Sequence, residues 1–365
     1  MKRLLLVLLA VAMLATLSTR ANAVNFEDEL KKLGEENAIG YIGPFSTAFG
    51  TAMNSGYYHT AKLHGWLGFD LGIKMSMVTV PTEGQTFEST LPALPFVVPP
   101  EWGVDGDQLS LDMNYIYPDR ESPTVFGDDQ SKILESDQDG IDIALTEALV
   151  NAGKSEADIL LLQSSVFWGQ LRNEVFAYTQ DNEIITPMGT GIDVLPMVVP
   201  QVSVGLPFKT EVMLRYIPEI DAGDIGKVKF FGFGVKHNLS QYIPIPLFPV
   251  KISGQFAWQK LEIGDLITST HWAANVHASK QLGFGVSVTP YVGVGIESST
   301  IDVEYTIEGT NSVLDGTPIA FSLDGENTYR LTGGVKIGLP LVSINADYSL
   351  GEYSVVSIGV AISFR

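Results

Sequence analysis

Five histidines are the first side chains that could do chemistry: His59, His64, His237, His271 and His277. His271 and His277 share one side of an extended run, but six residues of extended chain separate them by about 20 Å. They therefore cannot bind one metal ion. The sequence has no G-x-S-x-G elbow, no H-E-x-x-H motif and no glycine-rich phosphate loop. We predict no enzyme and no cofactor, with a hydrolase whose Ser–His pair lacks a local motif as the least favoured alternative.

An acidic stretch contains the spacing of half a calcium loop, with Glu135, Asp137 and Asp139 before Gly140. The first position is Glu instead of Asp, and position twelve is Thr146 where a bidentate Glu is required. A solvated acidic loop is the favoured interpretation. We therefore predict no metal site there.

The charge and cysteine content exclude several classes of protein. The chain has 42 acidic and 22 basic residues, a net charge of −20, so it lacks the basic surface that binds nucleic acid. It has no cysteine, which excludes disulfides, thiolate metal sites and a lipid anchor on cysteine. The exclusion leaves an acidic protein without covalent crosslinks.

The N-terminus has the pattern of a cleavable signal peptide. Lys2 and Arg3 precede an apolar run, Leu4 to Leu17, and Ala21-Asn22-Ala23 forms an A-x-A cleavage site. The apolar run is shorter than the ~20 residues of a membrane-spanning helix. We predict a signal peptide over residues 1–23 and an exported protein.

From Trp66 onward the apolar residues recur at every second position, which is the period of a β-strand. Leu67, Phe69 and Leu71 alternate with glycine and Asp70, and Val292, Val294 and Ile296 alternate with tyrosine and glycine in the same way. Working backward from the C-terminus, the pattern predicts ten strands at about 66–80, 197–206, 209–217, 227–238, 249–261, 267–279, 282–306, 317–339, 341–350 and 353–365.

The predicted strands favour an outer-membrane barrel over a soluble β-sandwich. Several reach 11–15 residues, whereas soluble strands have about 5–6 and tilted membrane strands about 9–11. Their second face carries glycine, serine and scattered charge, as the lumen of a barrel does. The fold class is all-β: a transmembrane, antiparallel, up-and-down barrel of about 10–14 strands with an N-terminal helical plug-like segment. A further hairpin within 81–195 would raise the count to twelve.

The segment before the first strand, 24–64, is predicted to be helical. Asn25 is a plausible N-cap, and Pro44 marks the start of a second short helix. Its apolar face needs a partner surface. A plug inside the lumen is favoured over a periplasmic helix below the barrel. The long stretch 81–195 is predicted to be a lid or surface excursion, with one or two helices within Ile141 to Leu162.

The alternation also predicts which polar side chains face the lumen and which aromatics face lipid. Trp258, Trp272, Tyr305 and Tyr348 are assigned to an outward aromatic girdle. The predicted lumen-lining residues are Asp70, Lys74, Glu211, Arg215, Lys236, Lys251, Gln255, His271, Asn275, Arg330 and Lys336.

Several segments resemble those of an uncharacterised family of Gram-negative exported proteins, a domain of unknown function: Asn54–Lys62, Thr124–Gly127, Pro200–Pro207 and Gly234–His237. The resemblance implies an outer-membrane barrel and assigns no activity. The helical segment before a monomeric barrel is also loosely similar to the FadL fatty-acid transporters, which have 14 strands. That similarity implies a plugged channel for small, hydrophobic molecules.

The functional hypothesis is a passive outer-membrane channel with an N-terminal plug, in contact with outer-membrane lipid and a small-molecule solute. The final strand, which ends at Phe364 and Arg365, resembles the C-terminal signal read by the barrel-assembly machinery. The alternatives are a non-transporting structural barrel whose outer excursion binds a partner and, less favoured, an outer-membrane hydrolase. A monomer in the cell outer membrane is predicted in each case.

Overall fold

The computed structural model describes residues 33–98, 100, 108–221, 227–244, 250–264, 266–306 and 316–364. The predicted signal peptide lies outside these ranges. The strands are β1 Phe69–Thr79, β2 Thr86–Glu88, β3 Leu94–Val97, β4 Gln108–Leu111, β5 Glu121–Pro123, β6 Val194–Leu206, β7 Thr210–Asp221, β8 Lys227–Asn238, β9 Lys251–Ile263, β10 Ile267–Ser279, β11 Ser287–Thr306, β12 Pro318–Asp324, β13 Tyr329–Gly338, β14 Val342–Leu350 and β15 Ser354–Phe364.

Ten of the described strands close into an antiparallel barrel. The order runs β10-β9-β8-β7-β6-β1-β15-β14-β13-β11, and β10 pairs with β11 to close it. β1 pairs with β15 from Phe69↔Phe364 to Thr79↔Ser354, so the first and last barrel strands meet without a gap. The predicted transmembrane-type barrel fold is confirmed.

One predicted strand is two strands in the structure. The predicted run 317–339 breaks between β12 and β13, and both halves pair with the long strand β11. At the break, a side chain on Gly325 would lie 2.1 Å from Ser299 Oγ, so the Ser299 side chain would have to shift to admit one. The further barrel hairpin considered for 81–195 is absent from the described residues, where β2 pairs with β5 and β3 with β4.

The stretch 80–193, which we call the cap, leaves and rejoins the barrel at neighbouring strands, with Val80 N donating to Asp193 O at 2.8 Å. Its helices are α2 Met113–Ile116, α3 Gln138–Asn151, α4 Glu156–Gln163 and α5 Val166–Asp181. They enclose a separate apolar core that includes Leu145 and Trp168. We call the barrel end that carries this stretch the cap end and the opposite end the turn end.

The acidic stretch with calcium-loop spacing begins α3. Asp137 is the N-cap, and its carboxylate accepts from Gly140 N at 2.8 Å. An N-cap carboxylate satisfies a free backbone N–H and opposes the positive end of the helix dipole. The predicted solvated loop was therefore wrong from Gln138 onward, whereas the helices predicted within Ile141 to Leu162 are present as α3 and α4. α5 was not predicted, although its buried residues Trp168, Leu171 and Val175 have helical spacing.

The inward face of the barrel changes character along its axis. Toward the turn end it is polar, whereas toward the cap end it is apolar; the apolar set, which we call the apolar ring, comprises Val78, Leu195, Met197, Val199, Val228, Phe230, Leu261, Ile267, Ile301, Val303, Tyr305 and Val355. The outward face changes in the opposite sense. In β11 it runs from Val292 and Val294 to Asp302 and Glu304, all exposed.

This inversion limits the lipid-facing band to the part of the barrel near the turn end. In β13 the outward residues from Tyr329 to Leu339 are large and exposed, apart from Gly333. Ten residue steps span ~34 Å along a strand, or roughly 26 Å along the axis at a tilt of ~40°. That height matches the ~25 Å apolar band of outer-membrane barrels.

The N-terminal helix α1, Glu35–Met53, lies inside the barrel. It starts at the cap end, where Tyr305 Oη donates to Leu33 O at 3.0 Å. The chain then runs down the lumen and reaches the turn end, where Gly205 N donates to Gly68 O at 2.8 Å just before β1. We call 35–68 the lumen segment.

The separate helix predicted to begin at Pro44 is wrong, because α1 continues through Pro44 without a break. Proline inside a helix removes one hydrogen bond and crowds the carbonyl four residues earlier, which here belongs to Gly40. The buried face of α1, which includes Tyr41, Ile42 and Phe49, packs on the apolar ring. That packing offsets the local cost of the proline.

The path of α1 predicts that Gly34 lies on the same side of the membrane as the cap. Single cysteines can test this because the natural chain has none. Gly34→Cys is suitable, since a side chain there meets no atom within 4 Å. We expect an impermeant maleimide to label Gly34→Cys and Ala157→Cys in the cap from one side. Phe284→Cys in the β10–β11 turn should label from the other side only.

If the maleimide labelled Gly34→Cys and Phe284→Cys from the same side of the membrane, this path of α1 would be wrong. The three variants serve as controls for each other, because Ala157 and Phe284 are both exposed. Detergent-solubilised protein should label at all three positions.

Candidate functional site

The polar half of the lumen binds the lumen segment at the C-terminal end of α1. Arg215 Nη1 donates to Met53 O at 3.0 Å and Nη2 to Ser55 O at 2.7 Å. Its guanidinium carbon lies 4.1 Å from the ring centre of Tyr57. The last carbonyls of a helix carry the negative end of its dipole, so a buried cation is favourable there. Gln259 Nε2 also donates to Met53 O, at 2.6 Å.

A buried ion pair binds the same turn from the opposite wall. Arg330 donates to both carboxylate oxygens of Glu297, each at 2.8 Å. Its remaining donors reach Thr51 O at 2.9 Å and Ser55 Oγ at 2.6 Å. Asn327 Nδ2 donates to Glu297 Oε1 at 2.7 Å. The pair is satisfied by hydrogen bonds on both partners, which a buried pair needs to be tolerated.

A third polar contact lies nearer the turn end. Lys74 Nζ lies 3.1 Å from His59 Nδ1 and donates to Asn345 Oδ1 at 2.9 Å. An ammonium group can only donate, so His59 Nδ1 accepts from Lys74. Its other ring nitrogen lies 3.8 Å from Asp70 Oδ2.

The polar wall closes around the end of the lumen segment at Glu211. Lys236 Nζ lies 2.6 Å from Glu211 Oε1, and both side chains are buried. The second carboxylate oxygen accepts from His64 N at 3.0 Å and lies 2.9 Å from His64 Nδ1. Both oxygens of this carboxylate are thus occupied by contacts to the wall and to the lumen segment.

Aromatic stacking fixes the middle of the lumen segment. Tyr58 stacks on His277 with ring centres 4.0 Å apart and meets Tyr291 edge-on at 6.0 Å. Tyr291 Oη in turn donates to Asp347 Oδ2 at 2.7 Å. The Tyr58 ring is therefore held between wall residues of β10 and β11.

Gly293 provides the space that Tyr58 occupies, and this leads to a test. A side chain at Gly293 would lie 2.1 Å from Tyr58 Oη and 3.0 Å from His277 Cβ. We expect Gly293→Ala to lower the free energy of unfolding by about 1–2 kcal/mol through overpacking. Urea unfolding in lipid vesicles measures it. Gly333→Ala is the matched control, because nothing lies within 4 Å of its added carbon.

The cap contacts the lumen segment directly near the cap end of the barrel. Asn37 and Thr90 exchange two hydrogen bonds of 2.8 Å. Tyr41 Oη donates to Met188 O at 2.8 Å, and Val125 N donates to Tyr41 O at 3.1 Å. A displacement of α1 along the lumen must therefore break contacts in the cap as well as in the barrel.

Little space remains between wall and lumen segment in the described part of the chain. A cavity of about 20 Å³ lies between Asn54–Tyr58, Glu297, Arg330 and Asp347. That volume holds about one water molecule. The lumen is therefore closed by packed side chains in this structure.

The family model for DUF6588, a family of unknown function, matches residues 1–364. The chain belongs to this family. The family description assigns no activity, which agrees with the resemblance noted from the sequence. No curated protein matches this DUF6588 chain.

Among solved structures, the DUF6588 chain is similar to three outer-membrane proteins. A loop-deletion mutant of OmpT from Vibrio cholerae is 11% identical, with 46% of this chain and 54% of that chain covered and a TM-score of 0.24. Ail of Yersinia pestis is 14% identical (42% and 91% covered, TM-score 0.21), and Omp33 of Acinetobacter baumannii is 11% identical (46% and 90%, TM-score 0.20). The chain spans only about half the length of OmpT. TM-scores this low carry no argument about function.

The structure places most of the predicted lumen residues in contact with the lumen segment or its wall. Nine are buried: Asp70, Lys74, Glu211, Arg215, Lys236, Gln255, His271, Arg330 and Lys336. Asn275 is half-buried, and its Oδ1 accepts from His277 Nδ1 at 2.8 Å. Lys251 is exposed at the turn end, because it is the first residue of β9.

Tyr305 was assigned to the outward aromatic girdle, and this was wrong. It is buried in the apolar ring, whereas Tyr348 is exposed as predicted. Sequence reasoning also missed Glu297, the partner of Arg330. Tyr305 and Glu297 both have odd numbers in β11, as does the inward Tyr291. Counting in steps of two from Tyr291 would therefore have placed both residues inward.

The described ranges contain neither a cluster of metal-binding side chains nor a membrane-spanning helix. No three histidine or carboxylate side chains come close enough together there to bind a metal ion. No described helix combines the length and the hydrophobicity needed to span a bilayer.

Proposed function

We propose that this protein is an outer-membrane channel that its own N-terminal segment holds closed. One observation carries the proposal: the lumen segment, 35–68, runs through the lumen and packs against the inward side chains of the wall. A small barrel that seals itself does so with inward side chains. Here the closing element is a separate stretch of chain that the wall surrounds.

The wall is built with small residues where the segment passes. The inward positions of the polar half include these glycines and serines: Gly72, Ser203, Gly232, Gly234, Ser253, Gly293, Gly295, Gly334, Ser357 and Gly359. An α-helix with its side chains is ~10–12 Å across. The part of the lumen that α1 occupies would therefore be roughly that wide once emptied.

The contacts in the polar half are of a kind that water can replace. Most hydrogen bonds from the wall go to the backbone of the lumen segment. For example, Ser253 Oγ donates to Ala61 O at 2.7 Å and Gln201 Nε2 donates to Tyr57 O at 3.3 Å. Exchanging such hydrogen bonds for bonds to water changes the free energy by only about 0.5–1.5 kcal/mol each. This supports a segment that can be displaced.

The lining suggests the class of solute. A molecule that crosses the emptied lumen meets the apolar ring at the cap end and then a charged ring that includes Lys74, Glu211 and Arg330. A small amphipathic molecule, with an apolar body and a polar group, suits both.

The lipid-facing band and the exposed C-terminal Phe364, stacked on Phe69 at 5.3 Å, support insertion in the outer membrane through the barrel-assembly machinery.

A reducible crosslink tests the proposal. Thr60 Oγ1 and Ser279 Oγ lie 3.2 Å apart, one on the lumen segment and one on β10. In Thr60→Cys/Ser279→Cys, the disulfide would fix the segment in the polar half. We expect voltage steps in a planar bilayer to open the reduced protein and to leave the oxidised protein silent.

The matched control crosslinks wall to wall. Ser76 and Ser357 pair across β1 and β15 with oxygens 3.4 Å apart. Ser76→Cys/Ser357→Cys should open equally in both redox states. If the reduced proteins never open, or if both crosslinks act alike, the lumen segment is not a gate.

A second candidate is a non-conducting barrel that displays the cap. The specific observation in its favour is that the cap has its own apolar core and that its two ends meet at one place on the barrel, where Val80 N donates to Asp193 O. Permanently silent bilayers in the experiment above would favour this function.

A further inference from the structure

The cap exposes large apolar side chains where α4 meets α5. The exposed fractions are 59% for Leu160, 70% for Leu161, 79% for Val166 and 50% for Phe167. The apolar residues exposed on the barrel wall near the turn end face lipid. The four residues named here lie on the cap instead. Four large exposed apolar residues within eight positions are unusual for a surface that contacts only water.

These residues are not needed by the cap core. α4 and α5 already bury Ile159, Trp168 and Leu171 against it. The exposed face also continues onto α3, since Gln163 Nε2 donates to Thr146 Oγ1 at 3.1 Å. Near that contact, α3 exposes half of Val150. We call this surface, which carries exposed apolar residues of three neighbouring helices, the α3–α5 face.

The charge around the α3–α5 face is strongly negative. Residues 81–193 contain 21 acidic and four basic residues, a net charge of −17, which is most of the charge of the whole chain. Glu147, Glu156, Asp158 and Glu174 are exposed beside this face. Of the basic residues, Arg172 lies 3.5 Å from Asp142, so its charge is locally balanced.

We propose that the α3–α5 face binds a basic amphipathic helix of a partner peptide or protein. The exposed apolar residues accept the apolar face of such a helix, and the acidic rim attracts its lysine and arginine residues. The same charge disfavours the other occupants. An anionic lipid surface and a second copy of this chain both carry negative charge and would be repelled.

The test uses the full mature protein in nanodiscs of zwitterionic lipid, with empty nanodiscs as background. The probes are two fluorescent 18-residue amphipathic peptides with the same leucine face, one with lysines and one with glutamates. We expect the lysine peptide alone to bind, with an affinity that falls as salt is raised. The variant Leu161→Ser/Phe167→Ser should weaken it at least tenfold.

Val97→Ser/Ile133→Ser is the matched control, because Val97 and Ile133 are exposed elsewhere on the cap. It should bind the lysine peptide as the natural chain does. Equal binding of both peptides, or equal loss in both variants, would overturn the proposal. So would binding of anionic vesicles or self-association in place of peptide binding.

Discussion

Replacing Arg330 with methionine should lower the free energy of unfolding by about 3–5 kcal/mol, the cost of breaking a buried ion pair by removing one partner. The change leaves the Glu297 carboxylate buried with Asn327 as its remaining donor. It also removes the donors to Thr51 O and Ser55 Oγ. Urea unfolding in lipid vesicles, followed by tryptophan fluorescence, measures the loss.

Two companion variants make this result specific. Arg330→Met/Glu297→Met removes both charges and should recover most of the lost stability, because no buried charge is left alone. Lys229→Met breaks an exposed pair with Glu262 at 3.5 Å and should cost less than about 1 kcal/mol. An Arg330→Met protein as stable as Lys229→Met would show that Arg330 does not bind the lumen segment.

Arg215→Met should also destabilise the closed barrel, but by less, about 2–3 kcal/mol for its hydrogen bonds as a charged donor. No carboxylate in the described part of the chain forms an ion pair with Arg215, so its removal leaves no charge without a partner. Met53 O keeps its bond from Gln259. The ranking of the two arginine variants in the same unfolding assay is the measurement.

An Arg215→Met loss that equals or exceeds that of Arg330→Met would contradict this account. It would mean that the interaction of Arg215 with the end of α1 and with the Tyr57 ring outweighs the ion pair. Gln259→Leu is the control for the shared carbonyl, because it removes the other donor to Met53 O and changes no charge.

The strands could be predicted from the sequence because their period of two is imposed by the geometry of the backbone. The strand predicted at 267–279 is β10 to the residue. The same period could not show where along the axis the inward face becomes apolar. That boundary depends on how far the barrel extends beyond the lipid, which is why Tyr305 was assigned to the wrong side.

The lumen segment illustrates a second limit. Its apolar face shows that it needs a partner, but not from which end it enters the barrel. That direction is set by non-local contacts, such as Tyr305 with Leu33 at the cap end and Glu211 with His64 at the turn end. Non-local contacts also explain why α1 continues through Pro44. The packing of the helix against the surrounding wall outweighs the tendency of proline to end a helix.

In the function proposed above, the lumen segment alone closes a preformed pore. Single-channel conductance in planar bilayers tests this with a protein of residues 24–365 and a protein of residues 62–365. Both proteins are first shown to fold by heat-modifiable gel migration. We expect the longer protein to be silent and the shorter protein to conduct in discrete steps. A shorter protein that folds and still conducts nothing would contradict the proposal, since the wall itself would then seal the barrel.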